Sequence, residues 1–318
     1  MTVKQKVLII LSLVFFALGM SLIWHTTNLG NLRIIACDVG QGDGLLIITP
    51  GGKQIVVDGG PGDKMTGCLS SHMPFWDRSV DLVLNTHPQE DHLEGLIGVL
   101  ANYKVAMVAT TGVVNETELF KEWQKAVGNE GAKVYTPKAG DSLLLDSNRG
   151  LTPKVDVLWP TEAKLAEWKA NPPKDTNQTA VVFRLEYGSP VGGFCAYFTG
   201  DVPKEILEKL VDKKCQVLKI AHHGSKTGTN EKILEESIPN LAIIQVGKNN
   251  RFGHPAKEVL DMLASRNIKT VRTDIDGAIE VDSDGKVYWV KTVKQNYHTF
   301  IKSAKFKAYK KVIMVLVI

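Results

Sequence analysis

No two of the four cysteines, Cys37, Cys68, Cys195 and Cys215, stand in a CxxC pair, so the chain lacks the spacing of a local cysteine metal or redox motif. Cys37, Cys195 and Cys215 lie in or beside strand-like apolar runs, where cysteine acts as a small buried hydrophobe. A disulfide framework is not expected. Aromatic residues are few, at 7%. Trp76, Trp123, Trp159 and Trp168 share no spacing, which marks them as packing residues rather than a base-stacking platform. A basic footprint for nucleic acid is also missing from the body. The net charge of +4 arises because residues 291–318 hold seven lysines and no acid, leaving the rest slightly acidic. There is no short-period repeat and no low-complexity linker.

What is present is, first, an ordinary globular composition, with 44% apolar and 23% charged residues in 318. Second, Lys4 and Lys6 precede an uncharged apolar run from Val7 to Trp24. That run is long for a signal-peptide core and just long enough to span a bilayer. Lysines before it favour an inside N-terminus and an exported body. Residues 1–30 are therefore expected to be an uncleaved membrane anchor, or a signal whose cleavage would make the body secreted. The body is expected over 31–292, followed by a basic and apolar tail over 293–318. Tyr297 to Ile318 would form either an amphipathic arm for a membrane surface or a solvated tail.

Apolar runs at 32–37, 45–49 and 54–57 read as strands, with Gly51-Gly52 as a hairpin turn. Residues 61–79 read as a loop. A strand at 81–86, a helix at 92–102, a strand at 104–109, a helix at 117–127 and a strand at 132–136 then alternate. Further strands fall within 140–160, at 179–186, 194–199, 215–220 and 240–246, and across 269–290. Helices are expected at 161–170, from Pro203, at 230–236 and at 256–264. The simplest packing is α/β, with two mixed sheets face to face and helices on the outer sides.

Polar residues gather just past these strands. The centre of the pattern is Thr86-His87-Pro88-Gln89-Glu90-Asp91-His92, two imidazoles and a carboxylate at a strand end and the start of a helix. Such a placement sets metal ligands on rigid elements, and the donors suit zinc, manganese or iron. Four more segments end strands in the same way: Asp38-Val-Gly-Gln-Gly-Asp43, Asp58-Gly-Gly60, Thr199-Gly-Asp201, and His222-His223-Gly224-Ser225-Lys226. His254 in Gly253-His-Pro255 is a fifth histidine, of eight, at such a junction. Together they supply the donors of a two-metal hydrolytic centre, with ions about 4 Å apart.

In this order these motifs resemble the metallo-β-lactamase-fold domain of ComEC-type competence proteins, in which the domain follows a membrane channel that imports DNA. The likeness covers about residues 32–290; with a single apolar run, the chain looks like a stand-alone exported relative without the channel. The resemblance implies an αββα sandwich and one or two divalent ions, zinc or manganese. It implies that His87, beside Gln89, binds a first metal. Asp91 and His92 would bind the second, Asp201 would bridge the two, and His222 would close the second site. Asp91 would serve catalysis as well. Asp58 would order the ligand loop by outer hydrogen bonds, and Asp38 and Asp43 would shape the pocket rim. His223, Ser225, Lys226 and His254 would meet substrate oxygens, with His223 or His254 as general acid.

Two departures weaken the first metal site. Gln89 stands where the superfamily has His and the ComEC-type proteins usually have Asp. Asp175-Thr-Asn177-Gln-Thr179 stands where a third histidine is expected, so Asn177 and Thr179 offer only amide and hydroxyl oxygen. A donor set poor in imidazole favours a harder ion such as Mn²⁺. Gly44 also replaces a usual Ser. The expected function is a metal-dependent phosphodiesterase or nuclease acting on DNA or a related phosphodiester outside the cytoplasmic membrane, with no obligate protein partner. The alternatives are a lactone or β-lactam hydrolase, and a catalytically weakened envelope binding module. His25, His72 and His298 read as surface or loop residues.

Overall fold

The computed structural model describes residues 2–28, 30–145, 151–190, 192–293 and 299–302. The strands fall into two sheets. The first contains β1 (Leu32–Ala36), β2 (Gly44–Ile48), β3 (Gln54–Gly59), β4 (Ser79–Asn85), β5 (Lys104–Thr110) and β6 (Lys133–Tyr135). The second contains β7 (Ser142–Leu144), β8 (Lys154–Trp159), β9 (Val182–Tyr187), β10 (Phe194–Phe198), β11 (Val217–Lys219), β12 (Leu241–Ile244) and β13 (Lys269–Arg272). The chain then returns to the first sheet with β14 (Ile279–Ser283), β15 (Val287–Thr292) and β16 (Thr299–Lys302). The spatial orders are 16-15-14-1-2-3-4-5-6 and 13-12-11-10-9-8-7. Each sheet is mixed. Strands β3 to β6 and β10 to β13 run parallel, and the remaining neighbours are antiparallel.

Period-two patterning explains why the sheets stack. In β3, Ile55 and Val57 face the second sheet while Val56 faces the helices outside. In β12, Leu241 and Ile243 face inward while Ala242 and Ile244 pack on the opposite helical layer. Alternate side chains must point to opposite faces, so a strand apolar at every position needs cover on both sides. Helices Glu90–Asn102 and Glu118–Glu130 cover the first sheet, through residues such as Leu96, Val99 and Trp123. Helices Glu231–Ser237 and Lys257–Ser265 cover the second through Ile233, Leu234, Val259 and Leu263. The result is the four-layer αββα sandwich expected from the sequence.

Three local expectations are corrected. Within 61–79, read as loop, Lys64–His72 is a helix with Met65 and Leu69 buried. Its one Gly and three Ser or Thr hid the pattern, because only that i,i+4 pair is strongly apolar. The strand read from 179 starts at Val182, after a 3₁₀ turn at Thr176–Thr179. All four cysteines are paired, Cys37 with Cys68 and Cys195 with Cys215. Partners separated by 31 and 20 positions meet only in the folded chain, at Cα distances of 6.0 and 4.7 Å, so local spacing could not show them.

At the N-terminus Val3–Asn28 is one helix, and its stretch Val3–Met20 is long and apolar enough to cross a membrane. The tail expectation lies outside the described residues except at 299–302, which pair with β15 at the edge of the first sheet.

Candidate metal centre

The two sheets bring strand ends β1, β3, β4, β10, β11 and β12 to one edge of the sandwich. His87 follows β4 directly, and His92 sits in the first turn of Glu90–Asn102; both are fully buried. Asp58, at the end of β3, ties them together. Its carboxylate accepts from the Thr86 backbone N–H at 2.8 Å and from the Thr86 hydroxyl at 2.6 Å, and contacts His92 Nδ1 at 2.8 Å. The Thr86 hydroxyl in turn lies 3.0 Å from His87 Nδ1. With its own proton given to Asp58, the hydroxyl accepts from His87, which fixes the tautomer with Nε2 free.

His223 is held in the same way, its Nδ1 3.1 Å from the Gln245 carbonyl. The Nε2 atoms of His87, His92 and His223 are all buried without a hydrogen bond, as is Asp201 Oδ1. Four buried polar atoms left open at one place call for a ligand.

The carboxylates close the cluster. Asp201 Oδ2 lies 3.3 Å from His92 Nε2 and 3.1 Å from His223 Nε2. Asp91 Oδ2 lies 3.6 Å from His223 Nε2. His87, His92 and Asp201 offer donor atoms within 4.8 Å of one another, and so do Asp91, His92 and His223. Imidazole nitrogens and carboxylate oxygens in this arrangement fit a divalent cation. Asp43 approaches His92 and His223 from behind: its Oδ2 pairs with Lys219, while its Oδ1, 3.4 Å from His223 Nδ1, is buried without a hydrogen bond. It forms further donor groups with Asp58 and His92 and with Asp201 and His223.

The backbone is strained where the donors are aimed. Asp58, His222 and His223 all have left-handed φ, at 55°, 53° and 55°, a region L-residues rarely occupy outside functional sites. Close packing sets the floor: a Cβ on Gly42 would fall 1.6 Å from the Asp91 carbonyl, and one on Gly95 2.1 Å from the Gly59 carbonyl.

Electrostatics match the geometry. Burial lowers His87, helped by neighbouring His92, to about 3, leaving it neutral with its lone pair available. Burial also opposes charge on His92 and His223, yet Asp201 together with Asp58 for the former, and Asp201, Asp43 and Asp91 for the latter, holds both well above the usual imidazole range. Asp201 is pulled well below the carboxylate range against its burial by His223 and His92.

Several residues take other places than the sequence suggested. His223, not His222, joins the cluster; the side chain of His222 is partly exposed at the mouth, Nε2 3.9 Å from Asp201. His222 stands beside His254, their ring centroids 5.7 Å apart. Asp43 is no rim residue: it is buried at 2% exposure beneath the two imidazoles. Asp38 is exposed, Lys226 is exposed, and Ser225 is buried with its hydroxyl 2.9 Å from Thr227 Oγ1.

Gln89 turns its amide to the Thr176 hydroxyl at 3.1 Å, tying the ligand turn to the Thr176–Thr179 segment. There Asn177 Oδ1 is buried and open, while the Thr179 hydroxyl donates to the Thr176 carbonyl at 2.7 Å.

Sequence reasoning missed Lys219. It is 1% exposed, forms an ion pair with Asp43, and donates to the Gly200 carbonyl at 3.1 Å. Its one signal was a charge in the otherwise apolar run of β11, three residues before the His pair.

No family profile matches the chain. It is 30% identical over 271 residues to ComE operon protein 3 of Bacillus subtilis (strain 168), covering 76% of this chain and 32% of that protein. It is 32% identical over 111 residues to competence protein ComA of Neisseria gonorrhoeae, covering 33% of this chain and 16% of that one. The chain thus spans about a third or less of the length of these curated relatives. Among solved structures, it is similar to Zn²⁺-bound PqqB from Methylobacterium extorquens, with TM-score 0.47, 11% identity, and 73% and 85% of the two chains covered. It is also similar to a long-form RNase Z from yeast, with TM-score 0.42, 12% identity, and 71% and 39% covered. The six ordered motifs and the two sequence relatives agree: this chain, folded as a four-layer sandwich, is related in sequence to the ComEC-type competence proteins.

Proposed function

We propose that the chain is a metal-dependent hydrolase that cleaves phosphodiesters, DNA among them, outside a membrane to which Val3–Asn28 anchors it. The observation that carries this reading is the convergence of three open imidazole Nε2 atoms on the carboxylates of Asp91 and Asp201 in a buried cluster. A divalent ion bound there supplies Lewis acidity towards phosphate and an activated water at neutral pH.

The chain's own residues do the rest. His87, His92, His223, Asp91 and Asp201 would hold the ion, and Asp58 keeps two of the imidazoles in register. His222 and His254, at the mouth, stand where a substrate oxygen would arrive. Burial, helped by neighbouring histidines for His254 and resisted by Asp201 for His222, pushes both below the usual imidazole range, so they enter the reaction neutral and pass protons as substrate charge changes. His87 groups with His92 and Asp201, while Gln89, two positions on, turns its amide to Thr176 and adds no imidazole or thiolate. That donor set supports manganese over a second tightly held zinc. The paired cysteines support an oxidising, extracytoplasmic setting.

The test uses the full chain in detergent, stripped of metal and given Mn²⁺ or Zn²⁺. Single- and double-stranded DNA and bis(p-nitrophenyl) phosphate serve as substrates, with Asp201→Ala as control. Metal-dependent cleavage that falls to background in the control is the expected result. Silence with both ions on all three substrates would replace the hydrolase by a binding module.

A further inference from the structure

Beside the metal cluster, the loop Gly247-Lys-Asn-Asn-Arg-Phe-Gly-His254 carries an aromatic ring that the proposed chemistry leaves unused. Phe252 is 61% exposed, yet its loop is firmly built. Asn250 Oδ1 accepts from the backbone N–H of Phe252 at 2.8 Å and of His254 at 3.1 Å. Asn250 Nδ2 donates to Gln41 Oε1 at 2.9 Å, and the same oxygen accepts from the Gly247 N–H at 3.2 Å. Gln41 belongs to the Asp38–Asp43 segment, so one motif both floors the metal cluster and braces this loop.

The ring leads to the cluster through two histidines. Phe252 stacks towards His254 at 6.2 Å between centroids and 23° between planes. His254 meets His222 at 5.7 Å, and His222 reaches Asp201 at 3.9 Å. A cation is at hand: Arg251 Cζ lies over the Phe252 ring, 5.2 Å from its centroid.

We propose that this ledge seats an unpaired nucleobase of single-stranded nucleic acid on Phe252, the Arg251 guanidinium turning from the ring to a phosphate, so that a neighbouring phosphodiester enters past His254 and His222. The proposal rests on the phosphodiesterase reading and names its substrate class. An exposed ring held rigidly costs little further ordering on binding, and every base offers a π-face, so stacking here is sequence-tolerant. Duplex DNA fits poorly because its base faces are already covered by one another. A guanidinium beside the ring adds a donor fork suited to phosphate. The body is slightly acidic, so stacking rather than counterion release must carry much of the affinity, and the salt dependence should be shallow.

The experiment measures fluorescence anisotropy of a labelled oligo-dT and of an abasic oligonucleotide of equal length. It uses the full chain in detergent with chelator present. Phe252→Ala should weaken oligo-dT binding roughly 5- to 150-fold, the loss expected for one stacked base, and leave the abasic strand unchanged. Phe252→Trp should restore oligo-dT binding. Equal affinity of Phe252→Ala and the parent for oligo-dT would overturn the ledge, as would equal losses on both strands. Turnover of bis(p-nitrophenyl) phosphate with metal separates the two readings. If base-dependent binding depends on Phe252 but no diester is cleaved, the ledge stands and the hydrolase fails. If the diester is cleaved but Phe252→Ala binds oligo-dT normally, the ledge fails and the hydrolase stands.

Discussion

Asp43 and Lys219 show how a dense acidic site is kept in one piece. Burial would raise Asp43, but the Lys219 ammonium and His223 hold its carboxyl below the usual range. Removing one partner strands the other, a loss of about 3–5 kcal/mol for a buried pair. Lys219→Met should therefore destabilise by about that much in urea unfolding, and Lys219→Met with Asp43→Asn should regain a large part of it. Additive losses in the double variant would show that the pair is not coupled. The imidazoles set the response to pH. His92 and His223 are raised in the folded chain, so without metal they bind protons that the unfolded chain has released. Their contribution is complete below about pH 6.5 and is lost as pH rises through their folded values. Metal-free protein should thus lose urea stability from pH 6.5 to 8.5. Metal affinity, measured by calorimetry, should rise over the same range because these donors must shed protons to bind. A flat or rising metal-free midpoint would refute the assignment.

Among the elements, Lys64–His72 depends most on its neighbours. Two buried side chains and Cys68 join it to the first sheet, and its other residues are half-buried or exposed. Such a helix is held by tertiary contact rather than by propensity. The crosslink to Cys37 closes a loop of 31 residues, for which about 2–4 kcal/mol is typical. Cys37→Ser with Cys68→Ser should lower stability by that amount and speed amide exchange in 64–72 ahead of Glu90–Asn102. Unchanged exchange in 64–72 would mean that packing of Met65 and Leu69 suffices. The helix Glu90–Asn102 is the stronger element, with Leu93, Leu96, Val99 and Leu100 buried on one face.

At the scale of the whole molecule, the cluster draws on strand ends from both sheets, so metal occupancy and sandwich stability are linked. Saturating Mn²⁺ or Zn²⁺ should raise the melting temperature of the parent, and Asp201→Ala should abolish most of that rise. An equal shift in both would place the ion elsewhere. The helix Val3–Asn28 stands apart from this linkage. Its apolar side chains from Val3 to Met20 include Leu8, Phe15 and Phe16 exposed to solvent, a surface that suits a lipid environment.

The sequence by itself determined much of this protein. Period-two strands, covered on both faces, required two sheets between helical layers. Strand-end His87, Asp91, His92 and Asp201 announced a cluster of possible metal donors, because those residues follow apolar runs and the backbone must deliver them there. Tertiary structure alone decided the rest. His222 and His223 are neighbours of identical chemistry, and only the left-handed turn through both selects which ring is buried. Lys219 was only a charge in an apolar run, and its role appears when Asp43, 176 positions earlier, is folded against it. The cysteine partners and the ledge at Phe252 arise in the same way, from segments remote in sequence whose approach is fixed by packing, a property that local pattern does not encode.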